Sequence, residues 1–133
     1  MKVLIATQKP FAAAAVKGIR EILEGAGHEV VLLEKYAEAK DLIDAVADVE
    51  AIIIRSDKVT PEVLDAAKKL KIVVRAGAGF DNVDLAAATA HGVVVENTPG
   101  QNANAVAELA IALMIFMSRN QFTPVSVIEV QGK

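Results

Sequence analysis

Five short apolar runs, each followed by a longer stretch of helical spacing, constrain this chain more than any other feature. The runs are residues 3–6, 29–33, 51–54, 72–74 and 93–95. Val and Ile are frequent in them, as suits a pleated, buried surface. Pro10 precedes the first helical pattern, which places Val16, Ile19, Ile22 and Leu23 on one face and ends at Gly25 and Gly27. Residues 41–46 form a short second helix. Thr60-Pro61-Glu62 opens a third, with a cap candidate and a proline in its first turn. Asp84 can cap a fourth over 85–90, with Gly92 marking its exit, and a longer apolar helix follows over 102–118. After Arg119 the pattern stops at Thr123-Pro124, and 125–130 reads as either an extended strand or a loose tail.

Strands alternating with helices, joined by right-handed crossovers, predict an α/β fold: a parallel sheet with helices on both faces. Of the doubly wound strand orders, the flavodoxin-like 2-1-3-4-5 is expected. No internal repeat, low-complexity segment or linker precedes residue 120. Residues 1–119 therefore read as one domain and 120–133 as a tail.

The 133 residues suffice for one domain with a real core. A 53% hydrophobic content with only 4% aromatics suits small helices packed on a buried parallel sheet. The formal net charge of −3 is dispersed and offers nothing to nucleic acid. Without cysteine, neither disulfides nor thiolate metal sites arise. The opening apolar run is too short for a signal peptide and gives way to Gln8-Lys9-Pro10. Residues 103–117, interrupted by Glu108, fall short of a membrane span. A cytoplasmic protein with no membrane partner is the expectation.

In an open α/β sheet, ligands bind beyond the carboxyl ends of the strands. Three polar clusters follow apolar runs and belong to that edge: Arg55-Ser56, Arg75-Ala76-Gly77-Ala78-Gly79, and Asn97-Thr98-Pro99 with Gln101-Asn102. Arg55 alone is an ordinary surface residue, or one paired with Asp57. Arg75, however, ends the next strand, and neighbouring strands lie ~4.8 Å apart, so the two guanidiniums can share one phosphate or carboxylate. The Gly77-Ala78-Gly79 turn is not a dinucleotide fingerprint, because Asn82 stands where a third small residue is required. It is either a strand exit needing positive φ or a nest of backbone N–H groups for an anion. Asn102 caps the last helix, bonds a ligand, or does both. His28 and His91 read as solvated, with no metal-ligand spacing. No nucleophile elbow, catalytic carboxylate pair or general base is evident, so binding is expected here and catalytic residues are not.

Arg55-Ser56, the segment 59–67 (Val-Thr-Pro-Glu-Val-Leu-Asp-Ala-Ala), the segment 74–84, and Asn97-Thr98-Pro99 running into Ala107-Glu108-Leu109 form an ordered set. Over nearly everything to Asn120 the sequence resembles the D-2-hydroxyacid dehydrogenases. The resemblance implies an NAD-dependent oxidoreductase whose N-terminal part is a flavodoxin-like substrate domain for a small anionic 2-hydroxy acid. It implies that Arg55 and Arg75 hold a substrate phosphate beside Ser56, and that N–H groups of Ala76 and Gly77 cradle the carboxylate. Asn102 would border the same cleft, with Ala78 and Gly79 near the nicotinamide. In the family, a segment like 129–133 leads into the NAD domain, beyond which lie the catalytic Arg, Glu and His. A fragment, inactive alone and binding NAD poorly, is therefore expected. The other class, a stand-alone flavodoxin-like binding or signalling module, lacks support. Residues 6–9 (Ala-Thr-Gln-Lys) supply neither the acidic pair of a receiver domain nor a flavin phosphate loop. The helix over 102–118 carries more apolar surface than one sheet face buries. Bare patches above ~400 Å² usually find a partner, so self-association through this helix is expected.

Overall fold

The computed structural model describes residues 1–119. In chain order the elements are β1 (Lys2–Thr7), α1 (Ala13–Gly25), β2 (Glu29–Glu34), α2 (Ala39–Ala45), β3 (Ala51–Ile54), α3 (Pro61–Ala66), β4 (Ile72–Arg75), α4 (Leu85–Ala90), β5 (Val94–Asn97) and α5 (Ala103–Ser118). They fall into two compact units. The first, Met1–Pro99, holds every element but α5, and the second begins at Gly100. The expected strand at 125–130 lies outside the described residues.

The sheet of the first unit is wholly parallel, in the order β2-β1-β3-β4-β5. This is the flavodoxin-like order expected from the alternation. Register aligns Val31, Leu4, Ile52, Val73 and Val95 in one row across the sheet. Because side chains alternate between faces, that row and Ala6 and Ile54 share one face. Right-handed crossovers put α2, α3 and α4 on this face and α1 on the other, since only the β1–β2 connection runs toward the β2 edge. The core accordingly joins Leu4, Ile52, Ile54 and Val73 to Leu42 and Val46, Val63 and Leu64, and Ala88. Leu4, Ile52 and Ile54 are completely buried, each worth roughly 1.5–3 kcal/mol of transfer free energy. On the α1 face Val3 and Ile5 are buried, but Ile53, Ile72 and Val74 are only half-buried and Val94 is exposed.

Local signals explain the element ends. The Asp84 carboxylate accepts from Ala87 N at 2.8 Å, capping α4, and Gly92 lets the chain leave at φ +68°. Helix α2 starts at Ala39, ahead of the expected 41, because the Asp41 carboxylate reaches back to Glu38 N (3.2 Å). Thr60 occupies the N-cap of α3 without a side-chain bond, leaving Pro61 as the entry signal. Strand β5 is displaced toward Asn97, since Val93 N donates to Ala88 O (2.9 Å) and so completes the exit of α4. In the second unit α5 has no buried residue, and Leu109, Ile111, Met114, Ile115 and Met117 are exposed. Among the described residues no helix is long and apolar enough to cross a membrane.

Candidate functional site

The carboxyl rim of the sheet carries the polar clusters. Arg75 is the last residue of β4 and pairs in register with Ile54, not with Arg55. Ala76 N continues the ladder by donating to Ile54 O at 2.8 Å. The two arginines thus leave the rim one residue out of step, whereas the spacing predicts matching positions. The displacement comes from β4, whose pairing runs through its arginine while that of β3 stops before Arg55. Among the described residues, neither guanidinium nor the Ser56 hydroxyl makes a hydrogen bond or ion pair, and Arg75 Nε is buried without a partner. Asp57 does not take the Arg55 guanidinium; its carboxylate meets the Arg55 backbone N–H instead, at 3.4 Å.

The Arg75 side chain folds back over Gly77. A methyl group at Gly77 would fall 1.6 Å from Arg75 Nη1 and 2.6 Å from its Cζ, so this close approach requires glycine. The N–H groups of Ala76 and Gly77, expected to hold a carboxylate, are both already donated: Ala76 to Ile54 O, and Gly77 to Arg75 O at 2.9 Å. The pair left free is the next one. Thr98 N donates to Gly77 O (3.0 Å) and Asn97 Nδ2 to Ala78 O (2.7 Å), which pins both carbonyls toward the end of β5. In a planar trans peptide the N–H points opposite to the C=O. The N–H groups of Ala78 and Gly79 therefore point away from β5, toward the β3 side of the rim. Neither is donated among the described residues. Adjacent, fixed and undonated backbone N–H groups are the arrangement by which nests receive anions. Ala78 and Gly79 are the residues expected beside the nicotinamide, and the available donors thus lie two peptides further along than expected.

A residue missed by sequence reasoning organises the rim. Asp57 is 3% exposed, and its carboxylate accepts from Gln8 N (2.8 Å), Tyr36 Oη (2.5 Å) and Arg55 N. Its backbone carbonyl accepts from Asn82 Nδ2 at 2.7 Å. Burial, and then the Asp57 hydrogen bond, push the Tyr36 hydroxyl well above its ordinary pKa. The only hint in the sequence is an acid one residue past Arg55-Ser56, where a solvated side chain is the usual reading.

Other candidates are placed elsewhere. Asn102 belongs to the second unit, where it is the N-cap residue of α5 and makes no side-chain capping bond. A cleft of about 630 Å³ runs along α1 and β2 between Phe11, Val16, Arg20 and Leu32 and includes none of the rim arginines. Its cations are spent on neighbouring carboxylates, Lys17 with Glu21 and Arg20 with Glu24, whereas the rim arginines have no such partner among the described residues. His91 bonds Ala87 O (2.8 Å) and the Asp65 carboxylate (2.9 Å), and His28 faces the N-terminal amine. Among the described residues no cluster of metal-ligating side chains exists.

The flavodoxin-like sheet agrees with what comparison shows. The chain belongs to the D-isomer specific 2-hydroxyacid dehydrogenase family, whose catalytic-domain profile matches residues 4–128. A D-3-phosphoglycerate dehydrogenase of Archaeoglobus fulgidus is 45% identical over 120 residues, covering 90% of this chain and 21% of the relative. The Sus scrofa enzyme of that name is 46% identical over 101 residues, or 75% of this chain and 19% of its own. The crystal structure of NAD+-bound 3-phosphoglycerate dehydrogenase from Entamoeba histolytica superposes with a TM-score of 0.83 at 57% identity, covering 87% of this chain and 38% of that one. The chain thus spans about a fifth of the length of these curated relatives.

Proposed function

We propose that residues 1–119 are the substrate-binding part of an NAD-dependent D-2-hydroxyacid dehydrogenase whose substrate is 3-phosphoglycerate, the acid that such an enzyme commits to serine biosynthesis. The observation that carries this reading is a carboxyl rim where, among the described residues, two guanidiniums have no partner and two fixed N–H groups are undonated. Such a rim suits a small molecule with a charged group at each end. Arg55, Arg75 and the Ser56 hydroxyl take the phosphate, the demanding partner, through charge-assisted bonds. Ala78 and Gly79 N–H take the carboxylate, with Asn97 and Thr98 holding that loop rigid. Held at both ends, the acid presents its C2 hydroxyl in one orientation, which is the contribution of positioning to catalysis.

NAD, when bound, accepts the hydride from C2. These residues bind and orient the acid; none of them is placed to remove the hydroxyl proton. The chain by itself is expected to be inactive, to hold NAD weakly, and to self-associate through α5, whose large apolar side chains are exposed. A cytoplasmic location suits such an enzyme.

The test is titration calorimetry of the chain with 3-phosphoglycerate and with D-glycerate, which lacks the phosphate. Hydrogen bonds to charged groups contribute about 1.5–3 kcal/mol each, so 3-phosphoglycerate should bind at least ~10-fold more tightly. Equal binding of the two acids would remove the phosphate assignment. Turnover of NAD by the chain alone would overturn its inactivity.

A further inference from the structure

Asp57 and Tyr36 form a buried pair that the rim's proposed binding role leaves unused. The Asp57 carboxylate gathers donors from three separate exits: Gln8 after β1, Tyr36 after β2, and Arg55 after β3. Asn82, after β4, closes the set by bonding the Asp57 carbonyl, beside the isolated bridge between Val59 and Val83. Four of the five strands thus send a loop to one residue. The exit of β2 is tight: Lys35 adopts φ +57°, and its N–H donates to Thr7 O at 3.1 Å, which turns Tyr36 inward. A buried carboxylate with no ion pair must have its lone pairs satisfied, and here they are met by donors in known positions.

What this pair holds is the turn that carries Arg55 and Ser56. Arg55 lies beyond the last paired residue of β3, so the sheet ladder does not fix its backbone. The Arg55 N–H reaches Asp57 Oδ2, while Oδ1 is occupied by Gln8 and Tyr36. We infer that Asp57, oriented by Tyr36, is a positioning residue that sets the direction in which Arg55 presents its guanidinium to an anionic ligand. The inference rests on the reading of the rim as an anion site. Neither residue touches the ligand, so each acts through Arg55.

Two properties make this testable. Asp57→Asn keeps an oxygen for Tyr36 and Gln8 but turns an amide N–H₂ toward the Arg55 N–H, removing only the contact of interest. Tyr36 is the single tyrosine in a chain without tryptophan, so intrinsic emission reports this hydrogen bond alone. The experiment is a double-mutant cycle on 3-phosphoglycerate affinity with wild type, Arg55→Ala, Asp57→Asn and the double variant, each checked for folding by urea titration. Asp57→Asn should weaken binding roughly 5-fold in the wild type and leave it unchanged once Arg55 is gone. Ligand should also alter Tyr36 emission in the wild type but not in Arg55→Ala. An equal loss in both backgrounds, or no loss in either, overturns the positioning role while leaving the anion site standing. Absence of binding by a folded wild type removes both readings. Should Asp57→Asn fail to fold, Tyr36→Phe carries the same cycle with the same two outcomes.

Discussion

The two rims of one sheet treat charge in opposite ways. At the amino rim Lys2, Lys71 and the N-terminal amine are each paired with a carboxylate. Lys2 Nζ lies 2.7 Å from Asp48 and 3.9 Å from Glu29, Lys71 lies 2.9 Å from Glu50, and the N-terminal amine lies 3.9 Å from that same Glu50. At the carboxyl rim Arg55 and Arg75 have no ion pair among the described residues, nor have Lys9, Lys35 or Lys58 nearby in the exit loops. The one buried acid there, Asp57, is given to backbone and tyrosine donors. Exposed ion pairs contribute little to stability, so leaving cations unpaired at one end costs little. It does leave them free for a ligand. Charge alone does not separate the rims; pairing does.

The contrast can be broken most directly at the arginines. Arg55→Ala/Arg75→Ala should lower 3-phosphoglycerate affinity on the order of 100-fold or more, while Lys71→Met at the other rim should leave it within about 2-fold. Comparable losses in the two variants, read by calorimetry, would mean that binding follows net charge and not the unpaired rim. Next in size is Gly77→Ala, whose methyl group displaces the Arg75 guanidinium. Affinity should fall about 10-fold, and an unchanged value would show that Arg75 binds from another rotamer.

Smaller effects concern stability away from the site. Asp84→Ala removes the α4 cap and should cost about 1 kcal/mol in urea unfolding without changing ligand affinity. A change in affinity would mean that α4 is coupled to the rim. The smallest effect is electrostatic. His91 offers both ring nitrogens to acceptors, the Ala87 carbonyl and the Asp65 carboxylate, and these hydrogen bonds raise its pKa above the ordinary 6.5. A raised folded value means the stabilisation is fully present below 6.5 and is lost as pH rises through the higher folded value. The urea midpoint should therefore decline slightly across that window, and Asp65→Asn should flatten the decline. A midpoint that rises there would show that the clip does not form.

Much of the fold was legible because its signals are local. Residues 51–54 read as a central strand from four apolar residues, and the structure places β3 there. Asp84 read as a cap, and it accepts from Ala87. The parallel sheet followed from strands alternating with helices, whose right-handed crossovers hold for any right-twisted sheet, and the flavodoxin-like order chosen among the doubly wound ones is the order observed. The site was legible by residue type but not by geometry. Arg55 and Arg75 stood out, yet their one-residue offset depends on where pairing stops. The donors at Ala76 and Gly77 looked available because sequence does not show which N–H groups the chain itself consumes. Asp57 was legible only as a possible partner of Arg55, since the donors its carboxylate accepts from, Tyr36 Oη and Gln8 N, lie 21 and 49 residues away in sequence.

The sequence by itself determined the element order, the parallel topology and the presence of cations at the carboxyl rim. Periodicity, caps and chain handedness act over a few residues and need no knowledge of the rest. Tertiary structure alone decided which backbone donors remain free, how Arg75 crosses Gly77, and that Asp57 ties together four loops. Those outcomes depend on register and on hydrogen bonds between strands far apart in sequence, where a shift of one residue turns a side chain to the other face of the sheet.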